Sequence, residues 1–217
     1  MQFILVVDRK HIFPHLAPQG FLSLDAVDLP SVEEHVFFAE RAFMEQCSHF
    51  KQIIPYMVIT FGDEVLCYQR RAKHTESRLG GLWTLGFGGH IEPMDRDESD
   101  RSGFIHAAAL RELKEETGLI VEAAALRPLG YINSEREEVS QVHFGVFFEL
   151  DLRKDGRSKE EIAELVSAQS EPHRVAWRSR SQLHSTQGTS PAPDEGRWED
   201  WTLYVLQSGV LSAGTAI

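Results

Sequence analysis

The chain has 217 residues, of which 42% are hydrophobic and 25% are charged, so it can bury the core of one large domain or two small ones. Its 22 lysines and arginines against 33 aspartates and glutamates give a formal net charge of -11. That charge repels the backbone of duplex nucleic acid, which we exclude as a partner, and it permits a small phosphate substrate only through a bridging divalent cation.

The N-terminal region begins with a strand candidate, the apolar run Phe3–Val7. This run is too short for a signal-peptide core or a membrane span, so we expect no membrane partner. The two cysteines, Cys47 and Cys67, are too few for a disulfide framework and lack the paired spacing of a zinc site. We therefore expect a reducing, cytoplasmic location.

A helix and then a hairpin are predicted next along the chain. Ser31 begins a Ser-x-x-Glu pattern that resembles a capping box at a helix start. Two apolar runs, Ile53–Thr60 and Val65–Arg70, are separated by Gly62–Glu64, which predicts two strands joined by a turn. Pro55 indicates that the first of these strands begins at a sheet edge.

The second half of the chain alternates between helix and strand patterns. His106–Thr117 carries an apolar stripe, and Gly118 follows it as a left-handed helix cap. Gln141–Leu150 alternates apolar residues on one face with mostly polar ones on the other, which predicts a central strand. Three further segments complete the prediction: a helix from Ser158 to Val166, a surface loop at Ser185–Gly196, and a final helix carrying Trp201 and Val205.

Three glutamates on the helix His106–Thr117 are the strongest chemical signal in the sequence. Glu112, Glu115 and Glu116 lie at i, i+3 and i+4, so they share one helix face. Like charges at these spacings destabilise an isolated helix by roughly 0.2–0.5 kcal/mol per pair. A hard divalent cation such as Mg²⁺ removes that conflict because it takes oxygen ligands. The glutamates therefore predict a metal site.

A glycine-rich segment upstream supplies the other half of the predicted site. Gly88 and Gly89 let the backbone approach a bound phosphate or metal, and a free carbonyl at such a turn is a further hard ligand. Arg111 can orient a neighbouring glutamate. A dinucleotide-binding interpretation of the Gly86-Phe87-Gly88 spacing fails because Ile91 stands where a third glycine is needed.

These residues resemble the signature of the Nudix hydrolase family, in which a glycine is followed by Glu and then by Arg-Glu-apolar-x-Glu-Glu-x-Gly-apolar. Residues 111–119, which we call the box, fit the second half of that signature. The resemblance implies that Glu112, Glu115 and Glu116 bind Mg²⁺, with Mn²⁺ as a substitute, that Arg111 orients a glutamate, and that Gly88 contributes a carbonyl. The run from Lys51 to Ile91 is similar to a phosphoesterase-like branch of the family.

The resemblance also implies a fold and a domain plan. We expect an α/β/α sandwich with a mixed β-sheet, flanked by the box helix and the C-terminal helix. Residues 1–50 are predicted to be an N-terminal extension packed on the core, and residues 51–217 a Nudix-like hydrolase domain. A homodimer would be typical of the family.

The first half of the signature is interrupted. Between Gly89 and Arg111 lie 21 residues where the family pattern has 13. Counting forward from Gly89 puts Asp95 at the position of the first box glutamate, whereas counting back from Arg111 puts Gly103 there. The inserted residues are rich in aspartate and glutamate, and one of them could replace that glutamate. A solvated loop is the interpretation that we favour.

Substrate contacts are predicted at Gly89, His90 and Arg70. His90 follows the glycine pair and would either touch a phosphate or make a backbone hydrogen bond in a turn. Arg70, with Arg71 and Arg78, precedes the glycines, where guanidinium groups grip phosphates well. Of these three arginines, Arg70 is the one to test.

The predicted activity is Mg²⁺-dependent hydrolysis of a phosphoanhydride bond in a nucleoside diphosphate linked to another moiety, or in a similar small phosphate. Glu112 is our first choice for combined metal ligand and general base, with Glu138 and Glu161 as outside candidates. One alternative is a catalytically weak module that binds a nucleotide or sugar phosphate, which the interrupted box suggests. Another is isomerisation of a diphosphate.

Overall fold

The computed structural model describes residues 1–71, 80–95, 103–136, 138–169, 172–184 and 196–212. Its strands, in chain order, are β1 (Phe3–Asp8), β2 (Gly20–Leu22), β3 (Phe37–Glu40), β4 (Phe50–Phe61), β5 (Glu64–Arg70), β6 (Trp83–Thr84), β7 (Gly86–Gly88), β8 (Leu126–Asn133), β9 (His143–Asp151) and β10 (Pro172–Ser179). Its helices are α1 (Arg9–Ile12), α2 (Leu29–Glu33), α3 (Arg41–Met44), α4 (Gly103–Thr117), α5 (Glu138–Gln141), α6 (Lys159–Ser167), α7 (Arg180–His184) and α8 (Asp200–Ser208). Within these residues no helix is long and apolar enough to cross a bilayer.

These strands form one mixed sheet, which confirms the predicted fold class. The strand order is β10-β5-β4-β9-β8-β2, with β1 and β7 also paired to β4, β3 to β1 and β6 to β5. The pair β4–β9 is parallel, with Gln52 opposite His143 and Thr60 opposite Asp151, and the other pairs are antiparallel. The predicted central strand is confirmed, because β9 lies between β4 and β8.

The prediction that Pro55 marks a sheet edge is wrong. Pro55 is buried midway along β4 and opposite Val146 of β9. On the other side of β4, the pairing with β1 extends only as far as Gln52, opposite Val6, and the pairing with β7 starts at Tyr56, opposite Gly88. Pro55 therefore lies in the gap between these two partners, where a residue without an N–H is tolerated.

The helix predicted from Ser31 begins two residues earlier, at Leu29, and ends at Glu33, before the apolar residues Val36 and Phe37. Asp28 is its N-cap and accepts a hydrogen bond from the Ser31 N–H at 3.4 Å. Pro30 lies in the first turn, where its fixed φ favours a helix start. The helix α2 stops at Glu33, and the chain is extended again from Phe37.

The remaining predicted helices agree with the structure to within a few residues. Helix α4 begins at Gly103 rather than His106, and Gly118 ends it with φ 74° and an N–H that donates to the Lys114 carbonyl at 2.9 Å. Ser158 and Glu161 form a capping box at the start of α6. The predicted final helix is α8, whereas residues 185–195 of the predicted surface loop lie outside the described residues.

Helices cover both faces of the sheet and create two cores. On one face, Ile105 and Leu113 of α4 and Ile162 of α6 pack with Ile53 and Met57 of β4. The opposite core is formed by α8 with even-numbered residues of β4, and includes Tyr56, Val58, Phe147, Tyr204 and Val205. Alternate residues of β4 thus face the box helix and the C-terminal helix.

Candidate active site

Arg111 donates hydrogen bonds to several residues of the predicted site. Its Nε and Nη2 donate to the two carboxylate oxygens of Asp95, each at 2.7 Å. Its Nη1 donates to Glu112 at 2.7 Å and to Glu115 at 3.2 Å, and its Nη2 also donates to the His90 carbonyl at 2.8 Å. The hydrogen bonds to Asp95, outweighing burial, raise the pKa of Arg111, so the guanidinium stays charged. One arginine therefore links the glycine segment to the box.

Asp95 does not belong to a solvated loop, and the interpretation that we favoured for this residue is wrong. Its carboxylate is only 3% exposed and also accepts the Glu92 N–H at 2.8 Å, which closes a short turn before the insertion. Asp95 is the residue reached by counting forward from Gly89. A paired carboxylate at that position is stable when buried because Arg111 compensates its charge. Residues 96–102 of the insertion lie outside the described residues.

Two box glutamates lie directly against Gly88 and Gly89, which we call the glycine turn. The Gly88 N–H donates to Glu116 Oε2 at 2.9 Å. A Cβ added to Gly89 would lie 2.4 Å from the Glu112 carboxyl carbon, and one added to Gly88 would lie 2.0 Å from the Pro55 carbonyl oxygen. Glycine is required at both positions because the backbone approaches the protein's own carboxylate and carbonyl groups, as well as any ligand.

The third box glutamate is more exposed than the other two. The side chain of Glu115 is 59% exposed, compared with 14% for Glu112, and reaches the group only through Arg111. Burial raises the pKa of Glu112, and the hydrogen bond from Arg111 opposes this shift. In the part of the chain that the structure describes, no three His, Cys, Asp or Glu side chains converge as a complete metal-ligand set. The carboxylates are gathered near one turn, but they pair with protein donors.

A cavity of about 460 Å³ opens beside the same turn. Gly88, Gly89 and His90 line one side of it, and Ile54 and Tyr56 of β4 line its floor. The C-terminal segment supplies a large part of its wall, including Arg197, Trp198, Glu199, Asp200 and Trp201. The cavity therefore combines aromatic and charged groups within reach of the glycine turn, as a pocket for a small polar ligand requires.

His90 lines this cavity, and among the described residues its ring makes no backbone hydrogen bond of the kind that we considered. Its Nε2 lies 2.7 Å from the Gln52 Oε1 and 3.4 Å from the His143 Nε2. Burial, together with the nearby charges of His143, Arg41 and Arg111, lowers the pKa of His90 to about 3. The imidazole is therefore neutral at physiological pH.

Arg70 also lines the cavity, where a buried carboxylate holds it. Its Nε donates to Glu199 Oε2 at 3.1 Å, and its guanidinium lies 5.7 Å from the centre of the Tyr68 ring. The other oxygen of Glu199 accepts the Tyr56 hydroxyl at 2.6 Å and the Thr84 hydroxyl. Arg71 points elsewhere and donates to the Pro172 carbonyl at 3.3 Å, whereas Arg78 lies outside the described residues.

The two outside candidates for the general base differ in what the structure says of them. Glu161 accepts the Ser158 N–H at 2.7 Å as part of the capping box of α6, so its carboxylate has a structural role. Glu138 begins α5, and its side chain lies outside what the structure describes.

Several residues in or next to the cavity were missed by sequence reasoning. Gln52 and His143 are polar residues inside two strongly apolar strands, and that interruption was the available signal. Glu199 and the neighbouring tryptophans carried no recognisable spacing, because their role depends on α8 packing across the sheet from the box helix.

A mixed sheet between helices, with an arginine-linked group of carboxylates beside a glycine turn, is the arrangement of a Nudix-type hydrolase. A family model described as the NUDIX domain matches residues 53–195, and the chain belongs to this family. It is 35% identical over 175 residues to Protein YmaB of Bacillus subtilis (strain 168), an alignment that covers 75% of this chain and 83% of that protein.

One solved structure agrees with this assignment, and a second is reported for its likeness alone. The crystal structure of Tm1382, provisionally identified as a Nudix hydrolase, matches with a TM-score of 0.66 and 27% identity, and covers 97% of this chain and 99% of that chain. A bifunctional NMN adenylyltransferase/ADP ribose pyrophosphatase from Francisella tularensis, complexed with AMP and a Mn ion, matches with a TM-score of 0.47 and 17% identity, covering 75% of this chain and 42% of that chain.

Proposed function

We propose that this chain hydrolyses a phosphoanhydride bond in a nucleoside diphosphate linked to another moiety, or in a similar small phosphate, with Mg²⁺ as its cofactor. One observation carries the proposal: Glu112 and Glu116 lie against the Gly88–Gly89 turn, and the same turn lines the 460 Å³ cavity. A diphosphate bound in this cavity would lie beside the carboxylates of the box.

The donor chemistry of the box fits a hard divalent cation, as Nudix hydrolases generally use. Glu112, Glu115 and Glu116 offer carboxylate oxygens, and the Gly88 carbonyl is the proposed fourth ligand. To bind a cation, Glu116 would release the Gly88 N–H, and the other two would loosen their hydrogen bonds to Arg111. Mn²⁺ would serve as a substitute because it accepts the same oxygen ligands.

Bound Mg²⁺ supplies charge neutralisation for the diphosphate and makes a water molecule more acidic. The chain's own residues supply proton transfer, orientation and phosphate binding. Glu112 takes the proton from the attacking water, and Arg111, fixed by Asp95, orients Glu112. Arg70, held by Glu199, lines the same cavity and offers positive charge to the phosphates.

We further propose that the enzyme works in the reducing cytoplasm. Both cysteines are free, and burial raises the pKa of the Cys67 thiol, which keeps it unreactive. The homodimer implied by the family resemblance remains a prediction.

The test is a screen of nucleoside diphosphate derivatives, dinucleoside polyphosphates and NADH-like compounds with Mg²⁺ or Mn²⁺. Product release should require the metal and should fall at least a hundredfold in Glu116→Gln. Glu160→Gln makes the same chemical change on an exposed first-turn residue of α6 and should retain full activity. Equal rates in both variants would refute the assignment.

Two other outcomes of the same screen would replace the proposal. Metal-dependent binding of a nucleotide or sugar phosphate without turnover would indicate a binding module. Recovery of a rearranged, unhydrolysed substrate would indicate an isomerase.

A further inference from the structure

Among the described residues, one tyrosine and two tryptophans line the cavity, and they differ in how much surface they leave accessible. Tyr56 is 4% exposed, and its hydroxyl is already bonded to Glu199 at 2.6 Å. Trp198 is also buried, at 7% exposed. Trp201 is half-buried. Of these three side chains, Trp201 is therefore the one whose ring a ligand in the cavity can contact most extensively.

The two central strands of the sheet fix the position of the Trp201 ring. Trp201 lies in the first turn of α8 and packs edge-to-face with Tyr56 of β4, with ring centres 5.3 Å apart and an angle of 83° between the planes. A Cβ added to Gly145 of β9 would lie 2.8 Å from the Cζ3 atom of the same ring. Glycine weakens the interior of a strand, but here it makes room for the indole. The ring is thus held in place before any ligand binds.

The groups around Trp201 select the kind of moiety that fits beside it. Ile54 and Leu203 are apolar, whereas Arg197 and Asp200 carry opposite charges on the same wall. The Asp200 Oδ2 accepts the Ser134 hydroxyl at 2.8 Å. A lipid chain would place hydrocarbon against these charged groups, which costs free energy, and a sugar alone would leave the indole without an apolar partner. A flat aromatic ring with polar edges satisfies both kinds of surface.

The cavity has room for such a ring in addition to the phosphates. Its volume of about 460 Å³ is within the range of about 300–1,000 Å³ that is typical of pockets for drug-sized ligands. The proposed function puts the diphosphate at the glycine turn, beside Glu112 and Glu116. The wall that contains Trp201 is then left for the moiety that is linked to the diphosphate.

We propose that Trp201 determines substrate specificity by packing its indole ring against a nucleobase of the substrate. This inference rests on the proposed function and deepens it, since it selects a nucleoside over a sugar or a lipid and assigns the base to the α8 wall of the cavity. An aromatic side chain that packs on a base raises affinity by about fivefold to more than a hundredfold. Trp201 acts on binding and takes no part in proton transfer.

The experiment compares ligands that differ only in the base. Isothermal titration calorimetry in Mg²⁺ gives the affinities of AMP, GMP, CMP and UMP, and of ribose 5-phosphate, which is the same sugar phosphate without a base. None of these probes has a phosphoanhydride bond, so binding is measured at equilibrium. We expect at least one nucleotide to bind about tenfold or more tightly than ribose 5-phosphate. Trp201→Leu should remove most of this preference and leave the affinity for ribose 5-phosphate unchanged.

Two further variants make the result specific. Trp201→Phe keeps an aromatic ring and should recover most of the preference. Trp177→Leu makes the same change at another half-buried tryptophan, which packs edge-to-face with Phe61 outside the cavity, and should bind nucleotides like the wild type. Thermal melting verifies that each variant is folded. If Trp201→Leu does not fold, tryptophan fluorescence decides: the nucleotide should quench it in the wild type and should quench it much less in Trp201→Phe.

Three outcomes would overturn the inference. These are wild-type affinities for all four nucleotides no higher than that for ribose 5-phosphate, a preference for nucleotides that Trp201→Leu retains, or equal quenching in the wild type and Trp201→Phe. Failure of the proposed function is distinguishable, because it appears as absent turnover in the substrate screen while the Trp201-dependent preference persists. If turnover is present and nucleotides are not preferred, only the inference about Trp201 is wrong.

Discussion

Replacing Asp95 by asparagine tests the link between the glycine segment and the box. The Asp95 carboxylate is 3% exposed and accepts two hydrogen bonds from Arg111, each of 2.7 Å, and one from the Glu92 N–H at 2.8 Å. Asparagine has nearly the same shape, but it has no charge and only one acceptor oxygen. Asp95→Asn therefore removes half of the bidentate contact without opening a cavity.

The structure sets the size of the expected effect. Removing one partner of a fully buried ion pair costs about 3–5 kcal/mol, but Arg111 is 18% exposed and keeps its bonds to Glu112 and Glu115. We therefore expect a loss of about 1.5–3 kcal/mol in the free energy of unfolding, which is typical of a charged hydrogen bond. The released guanidinium would also pair more strongly with the glutamates, so the Mg²⁺ concentration for half-maximal rate should rise.

Two measurements check this prediction. Urea unfolding followed by the fluorescence of the four tryptophans gives the stability, and initial rates over a range of Mg²⁺ concentrations give the metal requirement. Asp151→Asn is the control, because Asp151 pairs with Arg153 at the surface, where solvent screens the pair, and its stability should stay close to that of the wild type. Wild-type stability and wild-type Mg²⁺ dependence in Asp95→Asn would refute our account of Asp95.

Three further predictions concern the glycine turn, the cavity wall and pH. Gly88→Ala should prevent folding, because the new Cβ would lie 2.0 Å from a backbone carbonyl oxygen. Gly89→Ala should fold but lose activity, because its Cβ would meet a box glutamate at 2.4 Å and not the backbone. Circular dichroism reports the folding of each variant, and hydrolysis rates report its activity. Tyr56→Phe should lower the free energy of unfolding by about 1–3 kcal/mol in urea titrations, since it removes a 2.6 Å hydrogen bond to a buried carboxylate, and unchanged stability would contradict this. Burial raises the pKa of Glu149, but hydrogen bonds from two arginines outweigh burial and lower this pKa below 4.5. The ionised Glu149 therefore stabilises the folded state above pH 4.5, and this contribution is lost as the pH falls through its lowered pKa. In Glu149→Gln that part of the acid dependence should disappear from melting curves recorded at several pH values.

Local patterns were enough to predict the elements that hold the candidate site. The helix spacing of Glu112, Glu115 and Glu116 and the cap at Gly118 are properties of a few neighbouring residues. The alternation of Gln141–Leu150 likewise followed from strand geometry, and β9 is indeed in the middle of the sheet. Such local patterns predict the structure correctly because they do not depend on contacts with distant parts of the chain.

Features that depend on distant contacts could not be predicted in the same way. Pro55 suggested a sheet edge, but the sheet tolerates a proline there because the position falls in a gap between the partners β1 and β7. No local pattern reveals such a gap. Asp95 belonged to an acidic run whose spacing fitted two registers, and only its contact with Arg111 separates it from a surface charge. The cavity wall at Glu199 comes from the C-terminal segment, more than a hundred residues from the glycine turn that it faces.

The ion pair between Asp95 and Arg111 has a consequence for the two halves of the interrupted signature. Asp95 precedes residues 96–102, and Arg111 lies in α4, which starts after them at Gly103. The ion pair therefore joins the two flanks of the insertion directly, so the position of the glycines relative to the box is set by residues that lie outside the insertion.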